Sequence, residues 1–187
     1  MSVNLVKHHN FTVSEYQRMG ETGVFAPDAR VELIEGEIIE MSPIGSRHAA
    51  AVDIAARSLM QQIGESAIVR IQNPIVLNDF SEPQPDISLL KYRPDFYREA
   101  HPGPDDVMLV IEVADTTVHY DRHTKIPLYA RAGIPEALLF NLPEDRLEYF
   151  ARPETGVYQV NNVLNRGERF ESTNVSGVTL DIDMILG

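Results

Sequence analysis

The stretch Met108-Leu109-Val110-Ile111-Glu112-Val113 combines an apolar run with a single acidic residue. Successive side chains of a strand point to opposite faces of its sheet. A run that is apolar at odd and even positions therefore predicts a central strand that is buried on both faces. Glu112 lies at the end of this run, where a buried carboxylate costs free energy unless it is paired, hydrogen-bonded or bound to a metal ion. Glu112 is therefore the first candidate for a functional residue.

The segments around this strand predict further strands and a helix. The predicted strands are 68–71, continued by 75–77 beyond a break near Pro74, then 86–90, 108–113 and 135–142. Residues 121–132 have the apolar spacing of a helix, and Gly133 follows at a position that favours a left-handed backbone. Pro127 inside this segment predicts either a kink or a later helix start.

The N-terminal part of the chain predicts two helices and a hairpin. Residues 12–19 have helical apolar spacing, and residues 30–41 predict a hairpin that turns at Glu35-Gly36. A long helix is predicted from 46 to 63, with Ser46 as its N-cap. The predicted apolar stripe of this helix consists of Ala50, Ile54, Leu59 and Ile63.

The C-terminal part predicts an antiparallel hairpin around 154–156 and a short turn at 181–186. Together these elements predict the α/β (α+β) class. The length of 187 residues is typical of one domain, so we expect a single domain over residues 1–187.

Composition and charge narrow the functional classes. The chain contains no cysteine, which excludes disulfides, thiolate zinc sites and a cysteine nucleophile. The net charge of −12 argues against tight non-specific binding to nucleic acid, although divalent ions at a carboxylate site offset part of that charge. The N-terminus lacks the apolar core of a signal peptide, and the apolar run 107–113 is too short to span a bilayer. We therefore expect a cytoplasmic protein that does not contact a membrane.

Asp86 extends the candidate site around Glu112. It opens the neighbouring strand in Gln84-Pro85-Asp86-Ile87. Carboxylates on adjacent strands can share a hard cation such as Mg²⁺, which prefers oxygen ligands. A turn-capping aspartate and a solvated glutamate at a strand end are the alternatives that spacing alone leaves open.

Lys125 is the third candidate. On a helix it shares a face with Leu128, Tyr129 and Ala132, so the pattern directs it toward the core. Its ammonium group could snorkel to solvent. Beside two carboxylates, it could instead stabilise the charge that develops in a transition state. We expect Nζ within hydrogen-bond or one-water reach of Glu112 or Asp86.

These residues carry a resemblance to a known group of nucleases. Pro85-Asp86 followed by Glu112-Val113-Ala114 resembles the PD-(D/E)xK signature of restriction-endonuclease-like enzymes. More closely, the chain resembles the bacterial Uma-two family of restriction endonucleases. The matching stretches follow the family's order over nearly the whole chain, at residues 32–37, 83–87, 109–113, 120–125 and 129–136.

The resemblance implies a restriction-endonuclease-like fold, with a mixed central β-sheet flanked by helices. It also implies an endonuclease that requires Mg²⁺ or Mn²⁺. It implies that Asp86, Glu112 and the backbone carbonyl of Val113 bind the cation. The superfamily places its lysine two residues after the glutamate, where this sequence has Ala114, so the resemblance makes Lys125 the substitute. DNA as the substrate and a homodimer as the assembly are further implications.

Glu32 and His48 are second-tier catalytic candidates. Glu32 faces the same region if the family's arrangement holds, and a solvated strand glutamate is its alternative. His48 opens the long helix and could act as a general base or contact a phosphate, whereas a helix-capping or solvated histidine is equally open. His119 and His123 have a spacing that can hold zinc, but no third ligand is evident nearby.

Two functional hypotheses follow. The first is a Mg²⁺-dependent endonuclease that hydrolyses DNA phosphodiester bonds, which Asp86, Glu112 and Lys125 favour. The second is a non-enzymatic binding or scaffold protein that retains the nuclease fold, which the acidic net charge favours.

Overall fold

A six-stranded mixed sheet, in the order β3-β4-β5-β6-β7-β8, forms the centre of the molecule. The computed structural model describes residues 8–187. Strands β5 and β6 run parallel, and the other neighbouring pairs are antiparallel. The strands of this sheet are β3 (Ala67–Ile71), β4 (Ile87–Lys91), β5 (Val107–Ala114), β6 (Glu136–Asn141), β7 (Arg146–Glu154) and β8 (Val157–Asn165).

Five α-helices and four shorter strands complete the described elements. The helices are α1 (Val13–Glu21), α2 (Ser46–Ile63), α3 (Val118–Tyr120), α4 (Ile126–Arg131) and α5 (Ile182–Leu186), with a π-helical turn at Asp121–Lys125 that joins α3 to α4. The shorter strands are β1 (Val31–Ile34) with β2 (Glu37–Glu40), and β9 (Arg169–Glu171) with β10 (Thr179–Asp181). A 3₁₀ turn at Pro104–Asp106 precedes β5.

The two faces of β5 contact different layers, as the apolar run predicts. Ile111 and Val113 pack with buried residues of α2 and α5. Val110 and Ala114, which point the other way, pack with Ile126 and the other buried residues of α4. Because side chains alternate along a strand, Glu112 points to the face that α4 covers.

The N-terminal hairpin is fixed by its turn and by its docking. Glu35 and Gly36 have φ of 51° and 85°, as a tight two-residue hairpin turn requires. A Cβ on Gly36 would lie 2.5 Å from Cβ of Asn10, so this position needs glycine for space as well. The backbones of Leu33 and Glu82 exchange hydrogen bonds, which attaches β1 to the segment before β4.

The mixed α+β architecture is confirmed, and several details of the prediction are wrong. Gly45, not Ser46, is the N-cap of α2. The buried face of α2 is shifted from the predicted stripe and consists of Ala51, Val52, Ala55, Ala56 and Leu59. Residues 75–77 form no strand, because their backbone N–H groups bond to the carbonyls of Pro83, Pro102 and Ser81 and not to a β-ladder.

Two further differences concern the later part of the chain. The helix begins at Val118 and not at 121, and Pro127 fits into the first turn of α4, directly after the π-helical turn. Strands β9 and β10, only three residues each, were not predicted. Residues 1–7, which the signal-peptide prediction concerns, lie outside the described residues. None of the helices within 8–187 has both the length and the apolar character that crossing a membrane requires.

Candidate active site

A cleft of about 370 Å³ opens beside the end of β5 and the beginning of β4. The residues predicted from the sequence that line it are Glu32, His48, Asp86, Glu112, Val113 and Lys125. A wider depression of about 1060 Å³ near His9 and Phe80 contains none of them, and Ser81 is its one buried lining residue. The candidate functional residues therefore lie together in the smaller cleft.

Asp86 is buried and held by three donors. Its Oδ2 accepts a hydrogen bond from the backbone N–H of Val113 at 2.9 Å and lies 3.1 Å from Nε2 of His48. Nε2 of Gln72 donates to Oδ1 at 3.2 Å. Ile87 is paired with Ile111, so the next position in this antiparallel register places Asp86 opposite Glu112, on the same face of the sheet.

Glu112 and Lys125 form a buried ion pair on that face. Nζ of Lys125 lies 2.8 Å from Oε1 of Glu112, and both side chains are 4% exposed. The hydroxyl of Tyr129, in α4, donates a short hydrogen bond to the same Oε1. Two donors thus hold one oxygen of Glu112, while within residues 8–187 no hydrogen bond reaches Oε2.

Glu32 completes the surroundings of Lys125. Its Oε2 lies 3.3 Å from Nζ and accepts a hydrogen bond from the backbone N–H of Gln84 at 3.0 Å. Its residue exposure is 3%, so the alternative of a solvated strand glutamate is wrong. The docking of β1 against the 81–84 segment brings Glu32 into the cleft, although β1 is not part of the central sheet.

The electrostatics differ between the two predicted metal ligands. Burial raises the pKa of Glu112, an effect that the ammonium of Lys125 opposes and that nearby Asp121 and Asp86 strengthen. Burial would also raise the pKa of Asp86, but the hydrogen bonds from His48 and Val113 outweigh it and leave that pKa lowered. Asp86 is therefore the more strongly ionised carboxylate of the pair.

Lys125 stays charged despite its burial. Burial acts to lower its pKa, but the carboxylates of Glu112 and Glu32 outweigh that effect and place the pKa well above its ordinary value. The position of Nζ agrees with the expectation from the helix pattern. Its role in catalysis stays a prediction.

The carbonyl of Val113 is directed toward the same end of the site. The N–H and C=O of one strand residue point to the same edge of the strand. The N–H of Val113 bonds to Asp86, beyond the first residue of β4. The carbonyl of Val113 therefore points past the end of β4, toward Asp86, where no ladder partner is present in residues 87–91.

The donor set fits a hard divalent cation. Carboxylate and carbonyl oxygens are the ligands that Mg²⁺ prefers, and Mg²⁺ retains several waters in proteins. Within residues 8–187, no group of three or more His, Asp or Glu side chains is arranged to hold a metal ion. A cation here would thus need the Val113 carbonyl and water beside Asp86 and Glu112. The rings of His119 and His123 lie 4.5 Å apart, without a third ligand in that same part of the chain.

A comparison with protein families agrees with this geometry. Residues 13–183 match the model of the Uma2 family, whose description is "Putative restriction endonuclease". The chain belongs to this family. The matched range contains every candidate residue of the cleft.

Solved structures show the same fold. A crystal structure described as "a putative nuclease belonging to DUF820", from Anabaena variabilis, superposes on this Uma2 family member with a TM-score of 0.73. The two sequences are 16% identical, and the alignment covers 94% of this chain and 97% of that chain. No protein with a curated description matches the chain.

Four cleft or supporting residues of this Uma2 family member were missed by the sequence reasoning. Asp121 is 5% exposed, lies in the π-helical turn and accepts a hydrogen bond from Thr117 at 2.6 Å. Burial raises its pKa, against the effect of Lys125. Tyr129 donates a hydrogen bond to Glu112, Gln72 donates one to Asp86, and the backbone N–H of Gln84 donates one to Glu32. The spacing of Asp121 and Tyr129 from Lys125, at i−4 and i+4, was the available signal for two of them.

Proposed function

We propose that this protein is an endonuclease that requires Mg²⁺ or Mn²⁺ and hydrolyses phosphodiester bonds in DNA. The observation that carries the proposal is the convergence of Asp86, Glu112 and Lys125 in one cleft, with Nζ of Lys125 2.8 Å from Glu112. Membership of the Uma2 family supports it.

The residues have distinct roles in this proposal. Asp86, Glu112 and the Val113 carbonyl hold the divalent ion, which when bound lowers the pKa of a water ligand and polarises the scissile phosphate. Lys125 orients the attacking water and stabilises the negative charge that grows on the phosphate oxygens. His48 holds Asp86 in place through the contact between Nε2 and Oδ2.

Glu32 acts through Lys125 and not on the substrate. Its contact of 3.3 Å with Nζ, together with that of Glu112, places the ammonium between two carboxylates. This arrangement keeps the lysine charged and limits its movement, because leaving the pair would strand buried carboxylates.

The test is cleavage of single-stranded and double-stranded DNA with Mg²⁺ or Mn²⁺, with Asp86→Ala as the inactive reference. A matched control is Asp53→Ala, since Asp53 is an exposed acid on α2 outside the cleft. The proposal expects cleavage by the wild type and by the Asp53 variant, and none by the Asp86 variant. Equal rates for the wild type and Asp86→Ala would reject it.

A binding or scaffold protein that retains the nuclease fold is the second candidate. The net charge of −12 favours it, because cations on the protein surface supply much of the affinity for polyanionic DNA. Wild-type protein that binds the divalent ion but cleaves no phosphodiester would support this candidate. A homodimer, a single domain over the chain and a cytoplasmic location stay predictions.

A further inference from the structure

The charges that line the cleft restrict the substrate that it can accept. The lining contains six acidic residues, Glu32, Glu40, Asp86, Glu112, Asp115 and Asp121, and the two basic residues Arg30 and Lys125, besides His48. The single positive charge of Lys125 is shared between Glu32 and Glu112, so it offsets only one of these two negative charges and is not free for a phosphate. A divalent ion offsets two of the remaining negative charges. The wall thus stays acidic even with a metal bound.

Arg30 is the one cation of the lining that pairs with no carboxylate within residues 8–187. Its Nη1 donates to the carbonyl of Ser42 at 3.1 Å, which leaves the charge of the guanidinium uncompensated. The cleft therefore offers one phosphate a metal position and a second phosphate a single arginine. A further phosphate would meet Glu40 or Asp115, which are exposed acids of the wall.

The arginines next in sequence to cleft residues are committed to carboxylates. Arg47, which precedes His48, lies 2.6 Å from Asp145. Arg122, which follows Asp121, is paired with buried Glu148. A long duplex presents a phosphate about every 1.7 Å of its axis and requires a row of free cations along its path. Even if the half-exposed Arg47 exchanged Asp145 for a phosphate, the described cleft would offer Arg30 and Arg47 and not a row of free cations.

We propose that the site acts on short single-stranded oligonucleotides, which place one phosphodiester at the metal position and the next phosphate at Arg30. This inference rests on the proposed function, which it deepens by assigning a substrate class. It excludes internal phosphodiesters of a long duplex as the preferred substrate of the protein alone.

The first test compares substrates per cleavable bond. We expect kcat/KM for a tetranucleotide to exceed that for a 30-base-pair duplex by about tenfold or more, since like charges within about a Debye length repel. A duplex that is cleaved better than the tetranucleotide would overturn the inference while leaving the proposed function intact. Absence of cleavage for both, with wild type equal to Asp86→Ala, rejects the proposed function instead.

The second test measures binding and does not need turnover. Fluorescently labelled tetranucleotide and duplex are titrated with wild-type protein in Ca²⁺, at several salt concentrations. Each phosphate that is neutralised contributes about −0.9 to the slope of log K against log salt for a duplex and about −0.7 for a single strand. We expect slopes no steeper than about −2 and no preference for the duplex. A duplex slope steeper than about −4, or no binding of the tetranucleotide, contradicts the inference.

The third test changes the wall. The double variant Glu40→Gln/Asp115→Asn removes two acids that have no role in holding the cation. We expect kcat/KM for a 20-nucleotide strand to rise roughly fivefold and that for a dinucleotide to change less than about twofold, because only the longer strand places phosphates beside the wall. The matched control Asp53→Asn/Glu65→Gln neutralises two exposed acids on or after α2 and should change neither value. Equal effects of the two double variants would show that net charge, and not the wall, sets the preference.

Discussion

At the scale of single residues, Lys125 has two roles. Its charge offsets the buried carboxylates of Glu32 and Glu112, and in the proposed reaction it stabilises the charge on the phosphate. Lys125→Met keeps the volume of the stem but removes the charge that faces the developing phosphate charge. We expect kcat/KM to fall by about 100-fold or more, as when one preorganised donor is removed from a transition-state site. Steady-state cleavage in Mg²⁺ measures the effect.

The control for this prediction is Lys91→Met, which removes an exposed lysine at the end of β4. Circular dichroism in Mn²⁺ tests whether the Lys125 variant is folded, because the metal-free variant leaves Glu112 and Glu32 buried without a counter-charge. A folded Lys125→Met protein with the wild-type rate would rule out any catalytic role for the ammonium.

Tyr129 holds the same oxygen of Glu112 as Lys125 does, and it is fully buried. Tyr129→Phe removes that hydrogen bond without changing the volume of the ring. Groups that orient metal ligands contribute about 10-fold to 100-fold to metal affinity, so we expect a loss of this size in Mn²⁺ affinity. Isothermal titration calorimetry measures it. The matched control is Tyr158→Phe, which removes a hydroxyl that donates to the carbonyl of Ile134. Equal losses in both variants would mean that Tyr129 does not position Glu112.

The contact between His48 and Asp86 makes stability depend on pH. The hydrogen bond to Asp86 raises the pKa of His48 above 6.5, so its stabilising effect is complete below 6.5 and is lost as pH rises through the folded-state value. The pKa of Asp86 is lowered from 3.8, so its effect is complete above 3.8 and is lost as pH falls through the folded-state value.

The pair therefore contributes most between about pH 3.8 and 6.5. We expect the difference in unfolding free energy between wild type and His48→Gln to be largest in this window and to shrink above it. Urea unfolding of metal-free protein at several pH values measures the difference. A difference that grows from pH 6 to pH 9 would contradict the assignment of the proton to His48.

At the scale of elements, Arg122 fastens the π-helical turn to β7. Its guanidinium bonds both carboxylate oxygens of Glu148, which is 4% exposed. Arg122→Met leaves that carboxylate buried without its main partner. We expect the unfolding free energy to fall by about 2 kcal/mol, because the buried carboxylate loses its bidentate partner and keeps only the longer contacts from Arg146, at 3.3 Å, and from Asn141, at 3.2 Å. Chemical denaturation with guanidinium chloride measures this loss.

A matched control comes from Arg47, whose pair with Asp145 is about half exposed on both sides. Arg47→Met should change stability by less than about 1 kcal/mol, as is typical of surface ion pairs. If the two variants lost similar amounts of unfolding free energy, the buried Arg122–Glu148 contact would stabilise the fold no more than a surface ion pair does.

The elements differ in how far local sequence determines them. The central strand β5 could be predicted because its side chains are apolar at odd and even positions alike, and this pattern is visible in the local sequence. Residues 75–77 resemble a strand in composition, yet they bond to carbonyls of three separate segments, which no local pattern encodes. The shifted face of α2 has the same cause: alanines at 51, 55 and 56 carry little hydrophobic signal, but their small size allows close packing on the sheet.

The candidate site shows the same division. Asp86, Glu112 and Lys125 could be predicted because each is a charged residue where the local pattern expects an apolar environment. The burial of Glu32 depends on the docking of a hairpin against residues 81–84, so the local sequence, a four-residue strand with one acid, is also compatible with a solvent-exposed glutamate. Tyr129 and Asp121 look like ordinary helix residues until the π-helical turn and the Glu112 oxygen are known.

At the scale of the whole molecule, binding of a divalent cation should stabilise the fold by mass action. A cation at about 100 times its Kd contributes about 2.7 kcal/mol, which for a domain of this size raises Tm by roughly 5–10 °C. Asp86→Asn should abolish most of that increment. Differential scanning calorimetry with Mn²⁺ at constant ionic strength measures it.

Constant ionic strength matters because a chain with net charge −12 gains stability from any cation that screens its self-repulsion. Asp53→Asn lowers the negative charge by the same amount as Asp86→Asn and should keep the full increment. An unchanged increment in Asp86→Asn would place the cation elsewhere on the molecule.

Ala114 lies two residues after Glu112, is fully buried, and points to the same face of β5. A lysine at position 114 would extend from the same face of β5 as Glu112, so an ammonium group could reach that carboxylate from the strand as well as from the helical segment that holds Lys125. The number of residues between the glutamate and the lysine can therefore differ between two such chains, while their end groups still meet at the same place in the fold.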